Sequence, residues 1–170
     1  MLVLSFFGFG LQALADASRG DDGFSVGEPY AVSPTVSFAP VPGWVRDPDR
    51  SLEDVSVAMT KNGWDFTVSA AFELVDDETL EDFADDLRMV DSDSTVQYGD
   101  ISTFVTTSGL HGLTWKSHDV GSASVTWLIE NGGVSFTRAF GRGPDSSLNV
   151  VEPELTTMMA SLTTTDGGTP

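Results

Sequence analysis

The chain has 170 residues, 40% of them hydrophobic, with 26 acidic side chains against 8 basic ones and a formal charge of −18. That length suits one well-filled domain, and that charge repels nucleic-acid phosphates and anionic headgroups, so no nucleic-acid partner is expected and a partner with basic patches or a cationic ligand is favoured. Cysteine is absent, which excludes disulfides, thiolate metal sites, cysteine nucleophiles and cysteine-linked lipid anchors.

Leu2 to Ala15 reads LVLSFFGFGLQALA, without a charge. As a helix it is roughly 21 Å long at about 1.5 Å per residue, short of the ~30 Å hydrocarbon core. It reads as the h-region of a signal peptide, with Ala13-Leu14-Ala15 or Ala15-Asp16-Ala17 as cleavage site, or as the outer end of a single membrane anchor. A soluble core segment is the alternative, opposed by the polar stretch that follows at once. No basic residue precedes the run, as expected if the natural start lies upstream. Gly8-Phe9-Gly10-Leu11-Gln12-Ala13 mimics a dinucleotide fingerprint, but no strand precedes it and no βαβ unit follows. The expected organisation is a membrane anchor or signal segment over 1–17, a linker over 18–35, one domain over 36–163 and a disordered tail over 164–170. Within the linker, Phe24, Val26 and Tyr30 are candidates for a short strand or for packing on the domain's rim.

Val36-Ser37-Phe38 begins the domain as a short strand that Pro40 and Pro42 stop, placing it at an edge or a strand end. Trp44 follows and is expected to cap the core; it is also one of two candidate partner-binding residues. Val55, Val57 and Met59 alternate with polar or small residues, and so do Trp64, Phe66, Val68, Ala70, Phe72 and Leu74. Asn62-Gly63 between the two runs predicts an antiparallel hairpin of 54–60 with 64–74. The Trp64–Leu74 face is dry over its whole length on this reading.

Leu80, Phe83, Ala84, Leu87 and Val90 keep helical spacing, with Asp76 or Asp77 as N-cap and Arg88 in the last turn. This helix is a candidate cover for the Trp64–Leu74 face. Its acids read as a solvated face rather than a calcium site. Asp91-Ser92-Asp93-Ser94 is no EF-hand loop, because Val96 and Ser102 stand where Gly and Glu are needed. From residue 96 the pattern returns to strands: a meander of about four, turned at Ser108-Gly109, at Gly121 and at Glu130-Asn131-Gly132-Gly133. Gly141-Arg142-Gly143-Pro144-Asp145 then ends the sheet, and Arg142 in that corner is the second candidate partner-binding residue. Leu148 to Leu162 carries a closing helix, with Pro153 in its first turn and 145–151 as an irregular lead-in.

Catalytic chemistry is sparse. His111 and His118 lack the helical i, i+4 spacing of zinc enzymes. Ser108, His111 and Asp119 are triad-type residues without a nucleophile elbow. No phosphate loop exists. No enzyme activity, cofactor or metal is expected.

The order β-β-β-α-β-β-β-β-α resembles the PsbP-like α/β/α sandwich family, including the actinobacterial LpqN/LpqT-type envelope proteins. Val36-Ser37-Phe38 with Pro42-Gly43-Trp44, the Asn62-Gly63 hairpin, Ser108-Gly109-Leu110-His111-Gly112 and the closing helix carry the resemblance, over roughly residues 30–163. It implies an α+β fold, an antiparallel sheet of about six to seven strands flanked by two helices. It also implies a non-catalytic binding or assembly role on a larger machine. The LpqN-type lipobox cysteine is missing, so the apolar N-terminus would do the anchoring. The function expected is a membrane-tethered extracytoplasmic accessory subunit, its partner an integral membrane protein complex of the respiratory or envelope machinery. The alternative is a carrier of a lipid or small apolar ligand, held between sheet and helix by Trp115, Trp127 and Met158.

Overall fold

The computed structural model describes Phe24 and residues 28–75, 78–89 and 95–165. The expected anchor over 1–17, the Asp76 or Asp77 cap, the Asp91–Ser94 loop and the last residues of the tail lie outside them. Among the described residues no helix is long and apolar enough to cross a membrane.

Among the described residues eleven strands and two α-helices follow in order: β1 (Tyr30–Ala31), β2 (Val36–Phe38), β3 (Val45–Leu52), β4 (Ser56–Lys61), β5 (Trp64–Glu73), α1 (Leu80–Met89), β6 (Gln97–Tyr98), β7 (Ser102–Val105), β8 (His111–Asp119), β9 (Ser122–Gly132), β10 (Ser135–Pro144), α2 (Leu148–Ala160) and β11 (Thr163–Thr164). Eight strands form the main sheet in the order β3-β4-β5-β10-β9-β8-β6, with β7 also on β8. A three-stranded sheet, β1-β2-β11, lies beside it. The main sheet thus has more strands than the six to seven expected. The uncounted ones are short or charged: β6 has two residues, and β3 reads Val-Arg-Asp-Pro-Asp-Arg-Ser-Leu, with no alternation. Pro48 and the charges around it suit β3 to an edge, where they discourage pairing with another chain.

The hairpin forms as expected. Lys61 pairs with Trp64, and Asn62 and Gly63 take φ of 50° and 81°, the left-handed values a two-residue turn of this kind requires. β5 does not keep one dry face to its end. Trp64, Phe66, Val68 and Ala70 are buried in one core cluster, whereas Phe72 is 37% exposed and stacks at 5.4 Å on Phe136 of the other cluster. The register with β10 shifts between Phe136 and Arg138. That bulge sets two residues of β5 against one of β10 and reverses the side-chain parity beyond it.

The two helices cover opposite faces. Val151, Leu155, Met158 and Met159 of α2 pack with Trp64, Phe66 and Trp127. Leu80 and Ala84 of α1 pack with Leu113, Trp115, Leu128 and Phe136. So α2, and not α1, covers the Trp64–Ala70 face. The cap of α1 is Thr79: its hydroxyl accepts from the Asp82 N–H at 3.1 Å, and the Asp82 carboxylate accepts from the Thr79 N–H at 3.1 Å. This reciprocal pair satisfies two donors that a helix start leaves open. α2 begins at Leu148, five residues before Pro153, so the expected lead-in is already helical. The strand pairs of the small sheet take in Tyr30 from the expected linker and Thr164 from the expected tail. Phe24 packs edge-on against Tyr30 at 5.0 Å.

Candidate functional site

The site follows from a mismatch of lengths. α1 has ten residues and spans roughly 15 Å, while the ten residues of β10 run about 33 Å. α1 therefore covers its face of the sheet around Leu113, Trp115, Leu128 and Phe136. Further along β10, Arg138, Phe140 and Arg142 fall on that same face at a spacing of two, opposite Ser69, Thr67 and Asp65 of β5. On the other side of β10 they stand opposite Leu128, Thr126 and Ser124 of β9.

Between the end of α1 and this strip lies a recess of about 210 Å³, bordered by Leu87, Trp115, Ser117, Ser124, Arg138 and Phe140. The Ser117 and Ser124 hydroxyls are buried and 2.6 Å apart. Arg138 is half-buried, and its Nε is enclosed with no hydrogen-bond acceptor among the described residues. Its guanidinium carbon lies 5.9 Å from the centre of the Phe140 ring. Burial pushes the Arg138 guanidinium below its ordinary pKa, since enclosure disfavours the charged form. Arg142 stands at the mouth, 58% exposed, with Nη2 at 3.8 Å from Asp119 Oδ2 and 3.4 Å from Ser122 Oγ. The Thr95 hydroxyl, then the Val120 N–H, hold Asp119 below the usual carboxylate range; burial acts the other way, and Arg142 adds a smaller pull downward.

Trp44 and Arg142, the residues singled out from sequence, are not brought together. Trp44 has no exposed surface and packs on Phe66 at 5.9 Å, so it has nothing to offer a partner. Its indole N–H donates to Glu154 Oε2 at 2.9 Å, and Lys61 Nζ reaches the same carboxylate at 2.8 Å. Arg142 borders the recess, but not in a corner loop. Gly141-Arg142-Gly143 lies inside β10. A Cβ on Gly141 would stand 2.8 Å from Leu155 Cδ1, and one on Gly143 would stand 2.5 Å from the Trp64 ring. The glycines let α2 and Trp64 lie against the strand. Arg138 was not singled out; the signal for it is the period of two through Arg138, Phe140 and Arg142.

The triad-type residues are scattered. His111 and Asp119 stand at opposite ends of β8, roughly 27 Å apart at about 3.4 Å per residue. His118 pairs instead with Asp145 at 2.9 Å on the surface. A second recess, of about 390 Å³, opens on the α2 face and is bordered by Phe104, Thr114, Val125, Trp127, Lys116 and Glu152. The Lys116–Glu152 ion pair there is 2.7 Å long. Of the three residues expected to line a carrier pocket, Trp115 and Trp127 both border this second recess, whereas Met158 does not and is fully buried in the α2 cluster.

No protein-family model matches the sequence, and no curated protein matches it. Solved structures do. The chain is similar to the cyanobacterial PsbP (CyanoP) of Synechocystis sp. PCC 6803, with a TM-score of 0.56 and 19% identity over 86% of this chain and 96% of that one. It is also similar to the Ran-binding protein Mog1p of Saccharomyces cerevisiae, with a TM-score of 0.54 and 10% identity over 79% of this chain and 94% of that one. The fold is PsbP-like.

Proposed function

We propose that this chain is a non-catalytic accessory protein of the LpqN/LpqT type. On this reading Leu2–Ala15 tethers it at the extracytoplasmic side of a membrane, and it docks on a larger membrane or envelope complex. One observation carries the docking: the face of β10 and β5 that α1 leaves uncovered, with Phe140, Thr67, Ser69, Arg138 and Arg142 on it. A sheet face that no helix of the described residues covers is ready-made area for another protein. The yeast protein of this fold is named for binding Ran, a precedent for the architecture as a binding scaffold and not for the partner. The net charge of −18 favours a partner with basic groups around the contact. The tether rests on the charge-free run of fourteen residues.

The test is affinity capture of the tagged full chain from gently solubilised native membranes. Integral membrane proteins are expected to co-purify. With Arg142→Ala the recovery is expected to fall about fivefold, the effect of roughly 1 kcal/mol at an interface. Recovery of the bait alone overturns the reading, and unchanged capture by Arg142→Ala removes this face from it.

The second recess favours a different reading, a carrier for a lipid or small apolar ligand on the α2 face. Its walls include Phe104, Val125 and Trp127. Native mass spectrometry of the chain purified without detergent separates the two: the carrier reading expects a co-purifying ligand of defined mass, and a bare chain from native membranes removes it.

A further inference from the structure

The geometry points to a binding site for a single carboxylate carried on an apolar body, seated against Arg138 in the recess between α1 and the sheet. Most cations of the described residues already face carboxylates: Arg50 faces Asp47 and Asp65, Lys61 faces Glu154, Arg88 faces Asp85, Lys116 faces Glu152, and Arg142 lies near Asp119. Arg138 has no such neighbour among the described residues, in a chain with 26 acidic side chains. Arg46 also has an enclosed Nε without an acceptor, but it lies over the Tyr30 ring at 5.6 Å and borders neither recess.

An enclosed guanidinium N–H without an acceptor is costly, because its hydration is lost and nothing replaces it. Its flat fork of donors matches the two oxygens of a carboxylate. Ser117 and Ser124 lie in the same recess. Each hydroxyl has one hydrogen to donate, and the bond between them uses only one of the two. The other is available to an arriving oxygen. Leu87, Trp115 and Phe140 give the recess an apolar side that suits a hydrocarbon or aromatic body, while its one carboxylate, Asp119, lies beside Arg142.

One negative charge fits better than two. Of the two described cations that border this recess, Arg138 faces no carboxylate and Arg142 is shared with Asp119, and the field of the whole chain opposes each added anionic charge. The carboxylate has two sources, a small organic acid or the C-terminus of a peptide chain. The chemistry is the same, and the probes distinguish them.

The experiment titrates the full chain with benzoate, N-acetylphenylalanine, N-acetylphenylalaninamide and inorganic phosphate. The arginine Nε–H resonances are followed by NMR. Saturable binding of at least one carboxylate is expected, with a shift of the Arg138 resonance, and with the amide and phosphate at least about tenfold weaker. Binding of benzoate alone points to a small acid, and binding of N-acetylphenylalanine alone to a chain terminus. Arg138→Met, which keeps the stem's packing, is expected to abolish binding. Arg142→Ala, at the exposed mouth, is expected to weaken it less. The inference is overturned if neither carboxylate saturates, if the amide or phosphate binds as tightly, or if folded Arg138→Met binds as the parent does. Should Arg138→Met not fold, the resonance in the parent chain decides alone. Its failure leaves the docking proposal standing, since that is read from capture and not from these probes.

Discussion

Phe66→Ala is expected to destabilise the domain by about 3–5 kcal/mol, the range for removing a buried aromatic ring. Phe66 has no exposed surface and bridges two tryptophans edge-to-face, Trp44 at 5.9 Å and Trp127 at 6.2 Å. Its ring also lies against the bare backbone of Gly141. No small movement refills that volume, because β4, β10 and α2 bound it on three sides. A loss of this size is a large share of the ~5–15 kcal/mol that a domain of this size has in total. Denaturant unfolding should show a lower midpoint with the same slope. The comparison variant is Phe72→Ala, six residues along the same strand. An unbroken alternation makes the two equivalent. The bulge makes Phe72 a partly exposed ring stacked on Phe136, so its loss is expected to cost only about 1–2 kcal/mol. Equal losses at 66 and 72 would sink the bulge as the cause of the parity change.

The contrast marks what a one-dimensional reading reaches. Local geometry is legible because its causes are neighbours in sequence. Asn62-Gly63 has the positive φ its hairpin needs, the Trp64–Ala70 alternation needs no partner to be seen, and the closing helix announces itself in Leu155, Met158, Met159 and Leu162. Features set by distant chain are not legible. The parity reversal at Phe72 depends on the register of β10. Gly141 and Gly143 look like turn residues, yet the reason for them is Leu155 and the Trp64 ring, fourteen and seventy-nine residues away. β3 is hidden because an edge strand is under pressure to look unlike a strand. Thr79 caps α1 through Asp82, a short-range pattern that the denser acids before it obscure. In the site, Arg142 stands out in sequence because glycines flank it. Arg138, between Thr137 and Ala139, acquires its meaning only where α1 ends and no carboxylate of the described residues pairs with it.

Gly112→Ala is expected to cost about 3 kcal/mol or more, at the upper end for forcing atoms into a filled space. A Cβ there would lie 2.2 Å from the carbonyl oxygen of Leu128 and 2.9 Å from the Cα of Ile129. Both are backbone atoms, so no rotamer change relieves the overlap. Nor is there room to slide: Gly112 pairs with Ile129 of β9 on one side and with Phe104 of β7 on the other. Relief requires β8 to part from β9 locally, and amide exchange should quicken at Leu113 and Ile129 before it does elsewhere. Gly143→Ala is the control. Its Cβ would meet the Trp64 side chain at 2.5 Å, and that ring is tethered by its N–H to Ser147 at 2.8 Å. That ring is fully buried, so tilting it gives up the hydrogen bond, about 1 kcal/mol net, and disturbs its packing as well, yet a side chain can move where a strand cannot. Gly112→Ala should therefore be the worse of the two. A Gly112→Ala domain within about 0.5 kcal/mol of the parent, a span ordinary for surface changes, would mean that β8 and β9 are not held this close together.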